Sequence, residues 1–181
     1  MAVRASTQLF NFNKQFVAYF LYLLNDQIAL KGKNQQWGLH MFNSILVLLG
    51  RVLLAAVFIP AGLNKLMAID GTVGMIAGAG FPAATALAYA AAIFEVVAGL
   101  AVLVGFQTKI ASLLLAAFCI FTAFMFHSGA INMPGFSPEA NGMLSFFNQL
   151  MMYKNIGLAG GFLVLAGLGA GALSIDARRG A

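Results

Sequence analysis

Charge is what this chain has least of. Ten Lys and Arg and five Asp and Glu make up 8% of its 181 residues, against 61% hydrophobic residues. An ordinary soluble domain carries about 25% charge and about 45–50% apolar residues. Too few polar side chains are present to cover a water-facing surface. Intrinsic disorder needs low hydrophobicity and high charge, so it is excluded too. The solvent for most of the surface is lipid. Cysteine is scarcer still. The single Cys119 excludes an internal disulfide, a CxxC dithiol and a thiolate-rich metal site. The net charge of +5 comes from basic residues spread thinly along the chain, which make no groove for nucleic acid. No P-loop, GxSxG or HExxH pattern occurs.

Long apolar runs are present in quantity. A spanning helix needs about 20 mostly apolar residues, and four segments qualify: 44–66, 85–105, 109–127 and 155–175. None alternates with the period of a barrel strand, so helices are left as the way to satisfy backbone groups in lipid. The expectation is an all-α integral membrane four-helix bundle. Its domain would run from 44 to 178, after an N-terminal segment of residues 1–43.

Four spans put both termini on one side. Arg4, Lys14, Lys31 and Lys33 precede the first span, Lys109 lies between the second and third, and Arg178 and Arg179 follow the fourth. The opposite loops hold only Lys65 and Lys154, at span ends. The positive-inside rule then places the termini in the cytoplasm, and the expected location is the inner membrane. The run Phe16–Leu24 (FVAYFLYLL) is too short to span. Its Phe and Tyr content and flanking lysines suit an interfacial helix. A tilted fifth span and a cleaved signal are the rival readings, although no small-x-small site follows it.

The loop from Ser128 to Lys154 reads as two pieces. A proline-bearing turn region comes first, then an apolar stretch, Met143–Tyr153, that packs on the outer interface or caps the bundle. Glycines at 157, 161, 167 and 171 and small residues at 88, 92 and 99 point to close helix packing.

Ionisable residues inside a membrane are costly and mark candidate sites. Arg51 and Glu95 lie inside spans one and two. Counted from the span ends, their depths differ by about 5 Å, within an arginine's reach. The expectation is a structural Arg51–Glu95 ion pair. A second group gathers at the outer ends of the helices: Asn64, Lys65, Tyr89, His127, Lys154 and Asn155. It reads either as interfacial snorkelling and capping or as a head-group site. His40 and His127 stand about 30 Å apart across the hydrocarbon, so they cannot share a haem or a metal ion. No metal site is expected. Asp26, Asp70, Glu139 and Asp176 read as solvated surface charges.

The order and spacing of these residues resemble the DoxX family of small four-helix membrane proteins. The likeness rests on Gly50-Arg51, on Phe58 through Ala61-Gly62-Leu63-Asn64-Lys65, on Glu95 and Gly99 in FEVVAGLAVLVG, on His127, and on Lys154-Asn155. It covers about Leu48 to Arg178. The segment before Met41 and the insertion around Pro134–Met143 depart from it. The resemblance implies association with membrane redox systems, and Arg51, Lys65, Glu95, His127 and Asn155 as the positions that matter. The first functional expectation is an accessory subunit of a respiratory or redox complex, with other membrane subunits as partners. The alternative is a quinone-linked oxidoreductase component, with His127 and Glu95 as catalytic candidates and a quinone as the bound group. A small-solute or lipid carrier is a third reading, weakened by four spans with no inverted repeat.

Overall fold

The computed structural model describes residues 40–180. The chain divides after Asn43, and the unit Ser44–Ala181 holds the bundle. The elements are α1 (His40–Met67), α2 (Ile69–Gly78), α3 (Ala84–Val104), α4 (Thr108–Phe126), α5 (Pro138–Leu168) and the short α6 (Ile175–Arg179). No strand occurs among the described residues. The fold is an all-α membrane bundle. Helices α1, α3, α4 and α5 are long and apolar enough to cross a bilayer. Large apolar side chains such as Leu53, Val97, Val164 and Leu168 are 60–70% exposed, and lipid is the only solvent that suits them. The interfacial helix expected at Phe16–Leu24 lies outside the described residues.

The helix contacts are built from small residues. Ala88 and Ala92 are completely buried, as the small-residue spacing on α3 predicts, and so is Ala123 of α4. At Gly99 an added Cβ would lie 3.0 Å from Ile59. Phe58 and Phe162 meet edge to face, with ring centroids 5.3 Å apart, at the centre of the core. The glycines of α5 behave differently. Gly161 abuts Leu54, but a methyl group added at Gly157, Gly160 or Gly167 would meet nothing within 4 Å. Most of that glycine face is open.

Two segments differ from the sequence expectation. The stretch Met143–Tyr153 is the first half of α5, not a separate interfacial piece. Ser137 accepts a hydrogen bond from Ala140 N and Pro138 follows it, a helix start that the apolar run masks. Asn148 meets His127 and Asn155 meets Thr122, so α5 runs antiparallel to α4. Its first turns, Pro138 to Ser145, therefore continue past the end of α4. There they hold the 128–137 loop: Ser145 receives Ile131 N, and Asn141 receives Met133 N. At the other end α5 stops at Leu168, short of the expected 175. Gly169 adopts φ 80°, ψ −173°, a conformation confined almost entirely to glycine.

The chain after Gly169 folds back to the ends of α1, α3 and α4, and Arg51 fastens it there. Arg51 is 1% exposed. Its Nε donates to Val102 O (2.9 Å) and its Nη2 to Leu103 O (2.6 Å). Its Nη1 donates to Ala170 O and Leu173 O, both at 2.8 Å. The last carbonyls of α3 have no partner within the helix and carry the negative end of its dipole. A guanidinium fork satisfies several such acceptors at once. Asp176 is part of the same junction and not a merely solvated charge. Its carboxylate accepts from Gln107 N (2.8 Å) and Thr108 N (2.9 Å) at the start of α4. Its own amide donates to Gly105 O. Burial pushes the Asp176 carboxyl up, but the amide donors outweigh it and hold the group below its ordinary value.

Gly105 is the tightest point of this junction. It has φ 70°, and a Cβ there would lie 2.5 Å from Ser174 Cβ and 2.8 Å from Arg51 Cζ. Gly105→Ala should therefore cost more than about 2 kcal/mol, whereas Gly160→Ala should leave detergent-solubilised thermal stability nearly unchanged. Equal melting temperatures for the two variants would contradict this packing. The lowered Asp176 pKa sets a sign as well. Its contribution is complete above the unfolded carboxylate pKa and fades as pH falls through the depressed folded value. Asp176→Asn should flatten that acid limb in a pH series of melting temperatures.

Candidate functional site

Towards the opposite end of the bundle the helices separate around a cavity of about 560 Å³. Ligand pockets commonly measure about 300–1,000 Å³. Its walls come from α1, α3, α4 and α5, and α2 and Phe81 close one side. Most of the lining is apolar: Val57 and Phe58 of α1, Met75 and Ile76 of α2, Phe94 of α3, Phe118 and Phe121 of α4, Leu158 of α5. Phe81, Phe121 and Phe126 form a triangle of rings, with every pair of centroids 6.2 Å apart.

The polar groups in this wall are few. Glu95, with a side chain 4% exposed, receives both hydrogen bonds of a forked contact from Lys65 Nζ, at 2.7 and 2.9 Å. Gly62 makes the contact possible. A Cβ there would lie 2.7 Å from Ala92 O and 3.1 Å from Glu95 Cβ, so α1 and α3 touch through backbone at this level. Lys65 stands one turn beyond Gly62 and bends back onto the carboxylate.

This corrects the expected Arg51–Glu95 pair. Glu95 packs at Gly62, and about 16 Å of α1 separates Gly62 from Arg51. Arg51 instead meets Val102 and Leu103. Depth counted from span ends misleads because α1 begins earlier than the apolar run and α3 is offset against it.

His127 caps the end of α4 and lines the same cavity. Its Nδ1 lies 2.8 Å from Asn148 Oδ1. Asn148 Nδ2 donates to Gly129 O, which orients the amide and leaves its oxygen facing the ring. His127 Nδ1 therefore donates. In the neutral imidazole, Nε2 is then an acceptor, with no hydrogen bond to any described residue. Asn155 Nδ2 donates to Thr122 Oγ1, whose own hydrogen goes to the carbonyl of Phe118 or Cys119. Lys154 also lines the cavity.

The structure thus gathers five of the expected residues, Lys65, Glu95, His127, Lys154 and Asn155, around one chamber. Asn64 and Tyr89 are not among its lining residues, and Tyr89 is 43% exposed. Thr122, Asn148 and the α2 cover are additions that the sequence reading lacks. The asparagines at 141, 148 and 155 recur every two turns, a signal of one helix face that a loop reading of this segment hides. No cluster of metal-ligating side chains occurs among the described residues.

These features define a small four-span membrane protein with an intramembrane chamber built on a buried ion pair. The DoxX family model matches residues 46–128, a stretch that holds Arg51, Lys65, Glu95 and His127 but stops short of Lys154 and Asn155. Inner membrane protein YqjF of Escherichia coli (strain K12) is 38% identical over 130 residues, covering 72% of this chain and 88% of the relative. Inner membrane protein YphA of the same organism is 34% identical over 134 residues, covering 74% and 90%. The chain belongs to the DoxX family. No solved structure matches it.

The Glu95 side chain is 4% exposed and that of Lys65 33%, so removing the lysine strands a buried carboxylate, whereas replacing both by apolar groups is often neutral. Lys65→Met should therefore destabilise the protein more than the double variant Lys65→Met with Glu95→Leu. A double variant no more stable than the less stable single one in thermal unfolding would refute the pairing.

Proposed function

We propose that the chamber binds the head group of a lipid-soluble quinone, and that the protein serves as a quinone-linked component of a membrane redox complex. One observation carries this reading: an apolar cavity of about 560 Å³ within the helical bundle, lined at the level of the Lys65–Glu95 pair by groups that exchange hydrogen bonds. A subunit that only braces its neighbours has no need of such a chamber. His127 Nε2 accepts from a quinol hydroxyl, and once protonated it donates to a quinone carbonyl. Asn148 keeps the ring oriented in both states. Lys65, already tied to Glu95, has donor capacity left for a second carbonyl. The aromatic and aliphatic walls take the ring and the start of the tail. Electrons pass to or from a partner subunit of the complex. With the termini cytoplasmic, as the basic residues argue, the chamber lies in the outer half of the membrane.

Protein purified in mild detergent should bind a short-chain quinone analogue saturably. His127→Ala should weaken that binding about tenfold, the loss of one hydrogen bond in a dry site. An absence of saturable binding would refute the proposal, and so would unchanged affinity in both His127→Ala and Lys65→Ala.

A further inference from the structure

The chamber does not balance its charge. Two lysines line it, Lys65 and Lys154, against one carboxylate, Glu95. Lys65 and Glu95 neutralise each other in a forked contact. Lys154 makes no hydrogen bond or ion pair to any described residue, although it stands close enough to Glu95 and Cys119 for its charge to act on both. The nearest other acid in sequence on the covering segment, Asp70 of α2, is exposed and is not a lining residue. Lys154 is exposed in the open chamber. Lys154 precedes Asn155, which bonds Thr122, more than one turn inside the end of α4.

While the chamber is open, water relieves Lys154. A ligand that fills it displaces that water. A neutral head group would then strip part of the hydration of the exposed Lys154 ammonium without supplying a contacting counter-charge, which is unfavourable. A head group with one negative charge brings the missing partner and leaves the Lys65–Glu95 contact intact.

Building on the quinone head-group reading, we infer that this site selects ligands whose head group is a monoanion, an acidic enol or a carboxylate, and that Lys154 is the residue that makes the selection. His127 supports the same outcome. Beside an anion its protonated form is favoured, and Nε2 becomes a second donor.

The test compares two probes of one shape. A hydroxynaphthoquinone with an alkyl tail is ionised at neutral pH, and its O-methyl ether is neutral. The full-length protein in detergent should bind the acid at least about tenfold more tightly than the ether, the effect of one charge contact at a partly desolvated site. Lys154→Gln and Lys154→Met should erase that preference, weakening the acid and strengthening the ether, and Lys154→Arg should keep it. Melting temperatures establish that each variant is folded. Equal binding of the two probes, or tighter binding of the ether, overturns the charge selection and leaves the quinone reading standing. A preference that survives both Lys154→Gln and Lys154→Met overturns it as well. Binding of neither probe overturns both.

Discussion

A carboxylate inside a membrane needs a cation in contact with it, and Glu95 obtains one from Lys65 at 2.7 Å. That contact fixes much else. It requires α1 to approach α3 at Gly62, where an added Cβ would collide with Ala92 O and Val96 Cγ2. It fixes the level at which the two helices cross, and so the level at which the bundle opens. Below the contact the helices close on alanines and the Phe58–Phe162 pair. Beside it they part around the chamber, with α2 laid across the gap.

The same constraint is met by other means at the far end. Arg51 has no carboxylate in contact. Its donors are taken up by four backbone carbonyls, two at the end of α3 and two in the turn after α5. Helix ends supply such acceptors because their last carbonyls lack the amide of a following helical turn. Asp176 does the complementary work, taking the free amides at the start of α4. The bundle is thus bound at one end by charge against backbone and divided at the other by charge against charge. The first end holds the helix ends together, and the second leaves the chamber between the helices.

The spans of α1, α3 and α4 are legible in the sequence because twenty apolar residues in lipid have few alternatives. The side-chain partnerships are not, since they depend on the offset between helices, which hydropathy does not encode. Arg51 and Glu95 stand out correctly as costly residues, yet sequence depth pairs them wrongly, because distance from a span end ignores where the helix itself begins. The first half of α5 is hidden for a different reason. Its polar residues, Asn141, Ser145 and Asn148, look like loop chemistry until the 128–137 segment is seen folded against them. The candidate site is half visible. Lys65, His127, Lys154 and Asn155 can be placed at one rim, but the apolar chamber between them is a product of tertiary packing, and Asn64 and Tyr89, similar in type, do not line it.

The central claim is that the chamber beside the Lys65–Glu95 contact receives a lipid-soluble head group. Photocrosslinking in intact membranes tests it most directly. A photoreactive quinone analogue should label the cavity faces of α4 and α5, at Phe118–His127 and Met151–Leu158, and excess unlabelled quinone should suppress that labelling. Labelling confined to outward-facing residues such as Val97, Val164 and Leu168, or labelling that unlabelled quinone does not displace, would contradict the account.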